Sequence, residues 1–339
     1  MLFRSGSTSG ALDGSNAGIS DLFVVKYNSS GTRQWTKQLG TYSNDYGRGV
    51  TVDSSNNIYV TGWTSGALDG SNAGSFDLFV VKYNSSGTRQ WTKQLGSSSA
   101  DQSYAIATDS SDNVYVTGST TDNFTGNTNA GRNDIFVVKY NSSGDKQWTK
   151  QIGTTCQDYG KGIATDISGN SYVVGSTEVY SGCESGTSIP DGLDNETIVG
   201  GHDAFLIKYN SSGDKQWTRL FGSSDRETAF GVATDSSGNV YVVGETMGDM
   251  DGGGKAAMWD VFVVKYNSSG TKLWTRQLGS CSSAPCSGSG DSADHAYGVA
   301  LDSSRSRVYI AGSVYGDLDG NTLAGYQDAF LTRTWTLDF

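Results

Sequence analysis

Aspartate-rich loops recur along the chain and could hold a divalent cation. The first copy runs over residues 12–18 and is followed by Asp21. Alternating carboxylates followed by Gly and Asn resemble the oxygen-ligand loops that bind Ca²⁺. The alternative is that Asp-Gly forms a turn and that the Asp21-type residue caps the next strand. The candidate Ca²⁺ ligands are Asp13, Asp21, Asp69, Asp77, Asp249, Asp251, Asp260, Asp317, Asp319 and Asp328.

A second acidic series lies four residues before the small residue that opens a predicted β-strand. Its members are Asp45, Asp101, Asp158, Glu227 and Asp294. If these strands line a channel, the acids are expected at its mouth. They would then either accept backbone N–H groups or bind a cation or a basic ligand group.

The four cysteines fall in two groups. Pairing Cys156 with Cys183 and Cys281 with Cys286 would fix two inserted loops, although four cysteines allow three pairings. Zinc is the competing interpretation, with His202 and His295 as the additional ligands. Disulfides would place the protein in an oxidising compartment.

Catalysis is poorly supported by the residue types, and we do not expect an enzyme. The chain has 2 histidines, so pairs of nucleophile and base are scarce. His295 beside Asp294 is the one pair near the expected channel mouth. Two carboxylates acting as a glycoside hydrolase remain an alternative, because their separation decides that chemistry and the sequence does not give it.

An internal repeat of about 57 residues positions all of these side chains. The string Tyr-Asn-Ser-Ser-Gly begins at residues 27, 83, 140, 209 and 266. The second repeat reads as four strands, A to D, over residues 49–53, 58–62, 78–83 and 89–95. Each is short, rich in β-branched or aromatic residues and bounded by turn residues. No segment has a sustained helical period, so helix should be nearly absent.

Four-stranded units at this spacing predict a six-bladed β-propeller of antiparallel blades. We expect one domain over residues 1–339, with 23 of 24 strands and one blade that lacks its A strand. A long sandwich or a β-solenoid is an alternative, and so is an excerpt of a longer propeller, for example with seven blades. The predicted blades cover residues 1–40, 41–96, 97–153, 154–222, 223–279 and 280–339.

The repeat is similar to a known bacterial family. Residues 231–244 read Gly-Val-Ala-Thr-Asp-Ser-Ser-Gly-Asn-Val-Tyr-Val-Val-Gly, and Asp-x-Phe followed by Lys-Tyr-Asn comes later in each unit. This pattern resembles the SBBP β-propeller repeat. The resemblance implies a secreted or surface location and carries no catalytic residues with it.

The two ends of each predicted blade differ in character. The A–B and C–D turns share one end and repeat Asn-Ser-Ser-Gly or Asp-Ser-Ser almost unchanged, which is typical of structural turns. The B–C and D–A loops share the other end and contain the insertions. Variable loops on a regular scaffold usually carry binding. The candidate aromatic ligand contacts are Trp63, Tyr180, Trp259, Tyr315 and Tyr326.

Charge and composition restrict the partners. The net charge is −11, so nucleic acid is not expected. No apolar run is long enough to span a membrane. We predict an extracellular or cell-surface module that binds a glycan or a protein, with an export signal that is not visible in this chain. The alternatives are a structural subunit that self-assembles through the terminal blade and, less favoured, a hydrolase.

Overall fold

The structure is a computed structural model that describes residues 2–178, 193–254, 258–279, 293–302, 307–315 and 328–334. The chain divides into two compact units, Met1–Gly160 and Lys161–Phe339.

Unit 1 contains three antiparallel sheets, ordered β1-β2-β3, β4-β5-β6-β7 and β8-β9-β10-β11, which we call blades 1 to 3. The strands are β1 (Leu2–Thr8), β2 (Asp21–Tyr27), β3 (Arg33–Leu39), β4 (Asp45–Val52), β5 (Ile58–Thr64), β6 (Asp77–Tyr83), β7 (Arg89–Leu95), β8 (Asp101–Thr108), β9 (Val114–Thr120), β10 (Asp134–Tyr140) and β11 (Lys146–Ile152).

Unit 2 contains the sheets β12-β13-β14-β15, β16-β17-β18-β19 and β20-β21-β22, which we call blades 4 to 6; β12 begins before the boundary between the units. The strands are β12 (Gln157–Thr165), β13 (Ser171–Glu178), β14 (His202–Tyr209), β15 (Lys215–Phe221), β16 (Glu227–Thr234), β17 (Val240–Thr246), β18 (Asp260–Tyr266), β19 (Lys272–Leu278), β20 (His295–Leu301), β21 (Val308–Val314) and β22 (Asp328–Thr334).

The fold class is the predicted one, an all-β six-bladed propeller of small antiparallel sheets. The described helix is one 3₁₀ turn, Leu193–Asn195. The predicted A strands were too short, since β4 begins at Asp45 rather than at Gly49. Trp63, expected in a loop, lies inside β5. The predicted sixth D strand, residues 335–339, lies outside the described residues.

The hydrophobic core lies between successive blades within each unit. One cluster in unit 1 joins Val24 of β2 to Val60 and Val81 of blade 2. A corresponding cluster in unit 2 joins Leu206 of β14 to Val242 of β17. The B and C strands of blade 2, β5 and β6, are almost fully buried, because a neighbouring sheet covers each of their faces.

One end of each blade, which we call the turn side, carries the A–B and C–D turns. Asp53 Oδ1 accepts the backbone N–H groups of Ser55 (3.0 Å) and Asn57 (2.8 Å). Asn28 closes a C–D turn in the same way, and Gly31 takes φ 78° there. These side chains bind their own backbone, as expected for structural turns.

The turn side also links neighbouring blades. Lys82 Nζ of β6 donates to the Ser142 carbonyl of the next C–D turn (2.9 Å), and Trp91 Nε1 donates to the same oxygen (3.4 Å). Lys82 lies 5.1 Å from the centre of the Tyr59 ring, whose hydroxyl donates to Asp53 (3.0 Å). The repeated Tyr, Lys and Trp therefore have a structural role.

The opposite end of each blade, which we call the loop side, carries the B–C and D–A loops. Among the residues that the structure describes, no helix is long and apolar enough to cross a membrane.

Candidate functional site

Three aromatic rings meet at the loop-side end of blade 2. Tyr46 of β4 and Trp63 of β5 are register partners, with ring centroids 4.3 Å apart and planes inclined at 35°. Phe76, the residue before β6, contacts Trp63 edge-on at 4.6 Å. All three side chains are partly exposed, so the cluster keeps a solvent-facing surface. We call Tyr46, Trp63 and Phe76 the aromatic cluster.

The backbone holds this cluster in place. The Phe76 carbonyl accepts the N–H of Asp101 (2.8 Å) at the start of β8, and Phe76 pairs in parallel with Ala100. A backbone fixed in this way loses little conformational freedom when a ligand binds.

A β-bulge lies next to the cluster. Gly47 pairs with Gly62 and Gly49 pairs with Thr61, so Arg48 is the extra residue of the bulge. Its guanidinium lies 6.0 Å from the centre of the Tyr46 ring, and its side chain is exposed. Bulges re-aim side chains and are frequent beside functional sites.

Equivalent bulges occur in three other blades, but with different residues. The extra residue is Tyr104 in blade 3, Phe230 in blade 5 and Tyr297 in blade 6. The pair equivalent to Tyr46 and Trp63 is polar in these blades: Gln102 with Ser119, Thr228 with Glu245, and His295 with Ser313. The turns of the repeat barely vary, whereas the residues at this pair of positions differ from blade to blade. The fold therefore does not require one particular residue type at this pair.

The other predicted aromatic contacts are not placed in one cluster by the structure. Trp259 is partly exposed, pairs in parallel with Ala293, and accepts the N–H of Asp294 through its carbonyl (2.8 Å). The Tyr315 N–H donates to Asp294 Oδ1 (3.2 Å). Tyr180 and Tyr326 lie outside the described residues.

The acids of the second series are fully buried at the starts of the A strands. Asp45 Oδ2 accepts the N–H (2.6 Å) and the hydroxyl (3.0 Å) of Thr41, and Asp45 Oδ1 accepts the Thr64 hydroxyl. These contacts join the D–A loop to strands A and B. All five acids, Asp45, Asp101, Asp158, Glu227 and Asp294, have zero exposed side-chain fraction. The geometry therefore supports the backbone-binding interpretation of the series.

The Asp21-type residues hold the B–C loops. Asp77 Oδ2 accepts the Ala73 N–H (2.8 Å) and Gln94 Nε2 (2.8 Å). Gln94 Oε1 in turn accepts the Leu68 N–H (2.7 Å). The same Gln–Asp contact joins Gln38 to Asp21, Gln151 to Asp134, and Gln277 to Asp260. These contacts account for the Asp21-type residues as caps.

The remaining candidate Ca²⁺ ligands are mostly bound to protein donors. Asp13 faces Lys37 at 3.4 Å, and Asp69 is exposed. Asp249 accepts the Gly252 N–H (2.8 Å), and Asp251 accepts the Gln277 N–H (2.9 Å). Asp328 opens β22, whereas Asp317 and Asp319 lie outside the described residues. Within the described ranges, no group of three or more His, Cys, Asp or Glu could hold a metal ion.

The cysteine prediction rests largely on residues outside the described ranges. Cys156 is fully buried in a D–A loop. Cys183, Cys281 and Cys286 lie outside the described residues, so both predicted pairings stay predictions.

Both histidines contact a glutamate in unit 2. His295 Nδ1 contacts Glu245 Oε2 of the preceding blade, and the His295 ring stacks on Tyr297. The hydrogen bond with Glu245 raises the pKa of His295, although burial acts against it. Burial lowers the pKa of His202, which faces Glu178 at 3.6 Å.

Sequence reasoning identified Trp63 and missed Tyr46, Phe76 and Arg48. A comparison of the repeats with one another could have identified Tyr46, because the aligned positions differ between blades. At the positions of Tyr46 and Trp63, blade 2 alone of blades 2, 3, 5 and 6 has two aromatic residues.

Comparison with known proteins identifies the repeat. Four segments match the family model described as SBBP, beta-propeller repeat: residues 34–68, 90–125, 147–181 and 216–249. Each match runs from a D strand through the A and B strands of the next blade. The chain therefore carries the SBBP β-propeller repeat that its sequence resembles.

Two curated relatives share part of the chain. An uncharacterized WD repeat-containing protein, L264, of Acanthamoeba polyphaga mimivirus is 25% identical over 76% of this chain and 24% of its own length. The regulatory protein FlaEY of Caulobacter vibrioides is 26% identical over 44% of this chain and 16% of its own length. The matches thus span a quarter or less of each relative.

Among solved structures, the Pan2 WD40 domain of Neurospora crassa aligns with a TM-score of 0.45 at 11% identity. The alignment covers 87% of this chain and 69% of that domain.

Proposed function

We propose that this chain, which carries the SBBP β-propeller repeat, is a binding module that takes a glycan at the loop side of blade 2. The observation that carries the proposal is the aromatic cluster: two rings 4.3 Å apart, a third packed edge-on, and a partly exposed surface. Binding sites of this kind combine aromatic walls with a few fixed polar groups. The apolar face of a pyranose ring can pack on a partly exposed aromatic side chain such as Trp63.

Replacing Trp63 by alanine tests the site. We expect glycan affinity to fall by at least about tenfold, roughly 1.4 kcal/mol, because the central ring of the cluster is lost. Trp63→Phe should keep part of the affinity, and Ser119→Ala, at the equivalent position of blade 3, should keep all of it. A glycan array selects the ligand, and calorimetry compares the variants.

Thermal unfolding of each variant separates loss of binding from loss of fold. Full binding by a folded Trp63→Ala variant would rule out the aromatic cluster as the site. If the wild-type protein binds proteins but no glycan on a mixed array, the proposed ligand class changes from a glycan to a protein. Arms with added Ca²⁺ and with EDTA show whether the cation predicted from the aspartate loops takes part.

An extracellular or cell-surface location is part of the proposal. The low lysine and arginine content, 24 against 35 acidic residues, and two predicted disulfides support it. In protein purified from an oxidising compartment, we expect iodoacetamide to label none of the 4 cysteines before reduction and all of them afterwards. Labelling of all four without reduction would contradict both disulfides.

A further inference from the structure

The charge beside the aromatic cluster narrows the ligand class. We infer that the site takes an acidic saccharide, with the sugar carboxylate on Arg48 and the sugar ring on Trp63 and Tyr46. This inference rests on the proposed glycan-binding function and adds the charge of the ligand to it.

Arg48 is placed by the bulge rather than by the regular strand pattern. As the extra residue between Gly47 and Gly49, it takes no register partner on β5. Its exposed guanidinium nevertheless stays 6.0 Å from the Tyr46 ring. The cation therefore lies beside the Tyr46 ring of the aromatic cluster.

No carboxylate of the described residues forms an ion pair with Arg48. The acids nearest in sequence are committed elsewhere. Asp45 is fully buried and accepts hydrogen bonds from Thr41 and Thr64, while Asp53 accepts from Asn57 and Tyr59 at the turn side. An exposed guanidinium without a carboxylate partner is notable in a chain with a net charge of −11.

The chemistry of the guanidinium selects the ligand group. Its planar pair of N–H donors matches a carboxylate in a bidentate arrangement, which is stronger and more directional than a contact with a neutral hydroxyl. The rest of this acidic protein repels an anionic ligand, so binding would depend on this local charge. The equivalent bulge residues of blades 3, 5 and 6, Tyr104, Phe230 and Tyr297, are uncharged and could not supply it, whereas blade 4 has Lys161 at this place in the sequence but Ser176 where blade 2 has Trp63.

A matched set of saccharides tests the inference. The probes are an oligomer of galacturonic acid, its methyl ester, which keeps the ring but removes the charge, and the neutral galactose oligomer. We expect the wild-type protein to bind the acid at least about tenfold more tightly than the ester by calorimetry. Arg48→Gln should bring the two affinities together, and Arg48→Lys should keep part of the preference.

The control variant is Arg89→Gln, which removes the same charge from an exposed position at the turn side of the same blade. It should keep the preference for the acid. Equal wild-type affinities for acid and ester would overturn the acidic ligand and leave glycan binding standing. Failure to bind any of the three probes would overturn the acidic ligand. Glycan binding itself is then tested separately by the glycan array, on which a complete absence of bound glycans would contradict the proposed function.

Discussion

Alanine at Gly62 is expected to destabilise the protein by more than about 3 kcal/mol, although the change adds one methyl group. The new Cβ would lie 1.7 Å from the Tyr46 carbonyl oxygen and 3.0 Å from the Phe79 ring. The bulge at Arg48 brings the β4 backbone over Gly62, so the nearest atom belongs to the main chain and cannot rotate away. Relief requires β4 to separate from β5.

The matched control is Gly70→Ala in the B–C loop of the same blade. Gly70 has φ +87° and no atom within 4 Å of an added Cβ, so the change strains the backbone by about 1–2 kcal/mol without a clash. Urea unfolding of both variants gives the comparison. If both variants lose a similar free energy of unfolding, the bulge at Arg48 relaxes freely, and the close approach of the Tyr46 carbonyl to Gly62 does not restrict the residue at position 62.

The six blades could be predicted because the repeat is nearly exact. In the second repeat, for example, the predicted B strand over residues 58–62 starts where β5 starts, at Ile58. The A strands were predicted four residues too short in blade 2, because the bulge at Arg48 interrupts the alternation that marks a strand. A bulge follows from the pairing of two strands, which the local sequence pattern does not contain.

Only part of the aromatic cluster could be predicted, because its other members depend on how the strands pair. Trp63 stands out in sequence because its counterparts in blades 3, 5 and 6 are Ser119, Glu245 and Ser313. Tyr46 lies 17 residues before Trp63 in the sequence, and only the pairing register of β4 with β5 brings the two side chains together.

The spacing of the buried acids identified them as a series, but it left open whether they accept backbone N–H groups or bind a cation or a basic ligand group. Thr41 and its equivalents Ser97, Thr154 and Ser223 each donate a backbone N–H and a hydroxyl to the acid four residues later. This pair of donors keeps the carboxylate inside.

Buried carboxyl groups with raised pKa values should make the protein more stable as the pH falls from neutral through those raised values. Burial raises the pKa of Asp101, and the charge of Asp77 adds to it, while hydrogen bonds from Ser97 reduce the effect. Burial likewise raises the pKa values of Asp134, Asp203 and Glu227. The folded protein therefore holds these protons more tightly than the unfolded chain does. That stabilisation is complete below the ordinary carboxyl pKa and is lost as the pH rises through the raised values.

Other groups oppose the trend. For Asp53, burial disfavours the charged form, but hydrogen bonds from Asn57 and Tyr59 lower its pKa overall. Its contribution is present above the ordinary value near 3.8 and is lost as the pH falls further. The lowered pKa of His202 acts against stability below its ordinary value of 6.5. Stability should therefore pass through a maximum at mildly acidic pH.

Single amide variants isolate the buried carboxyls from these opposing groups. Asp101→Asn in unit 1 and Glu227→Gln in unit 2 keep the shape of the side chain and remove its titration. Each variant should gain stability relative to the wild type at neutral pH and lose that gain near pH 4. Asp69→Asn, at an exposed loop carboxyl, should follow the wild-type curve. Urea midpoints across this range measure the difference. Parallel curves for Asp101→Asn and the wild type would mean that the carboxylate is charged inside the fold without cost, so that the donors from Ser97 fully replace its hydration.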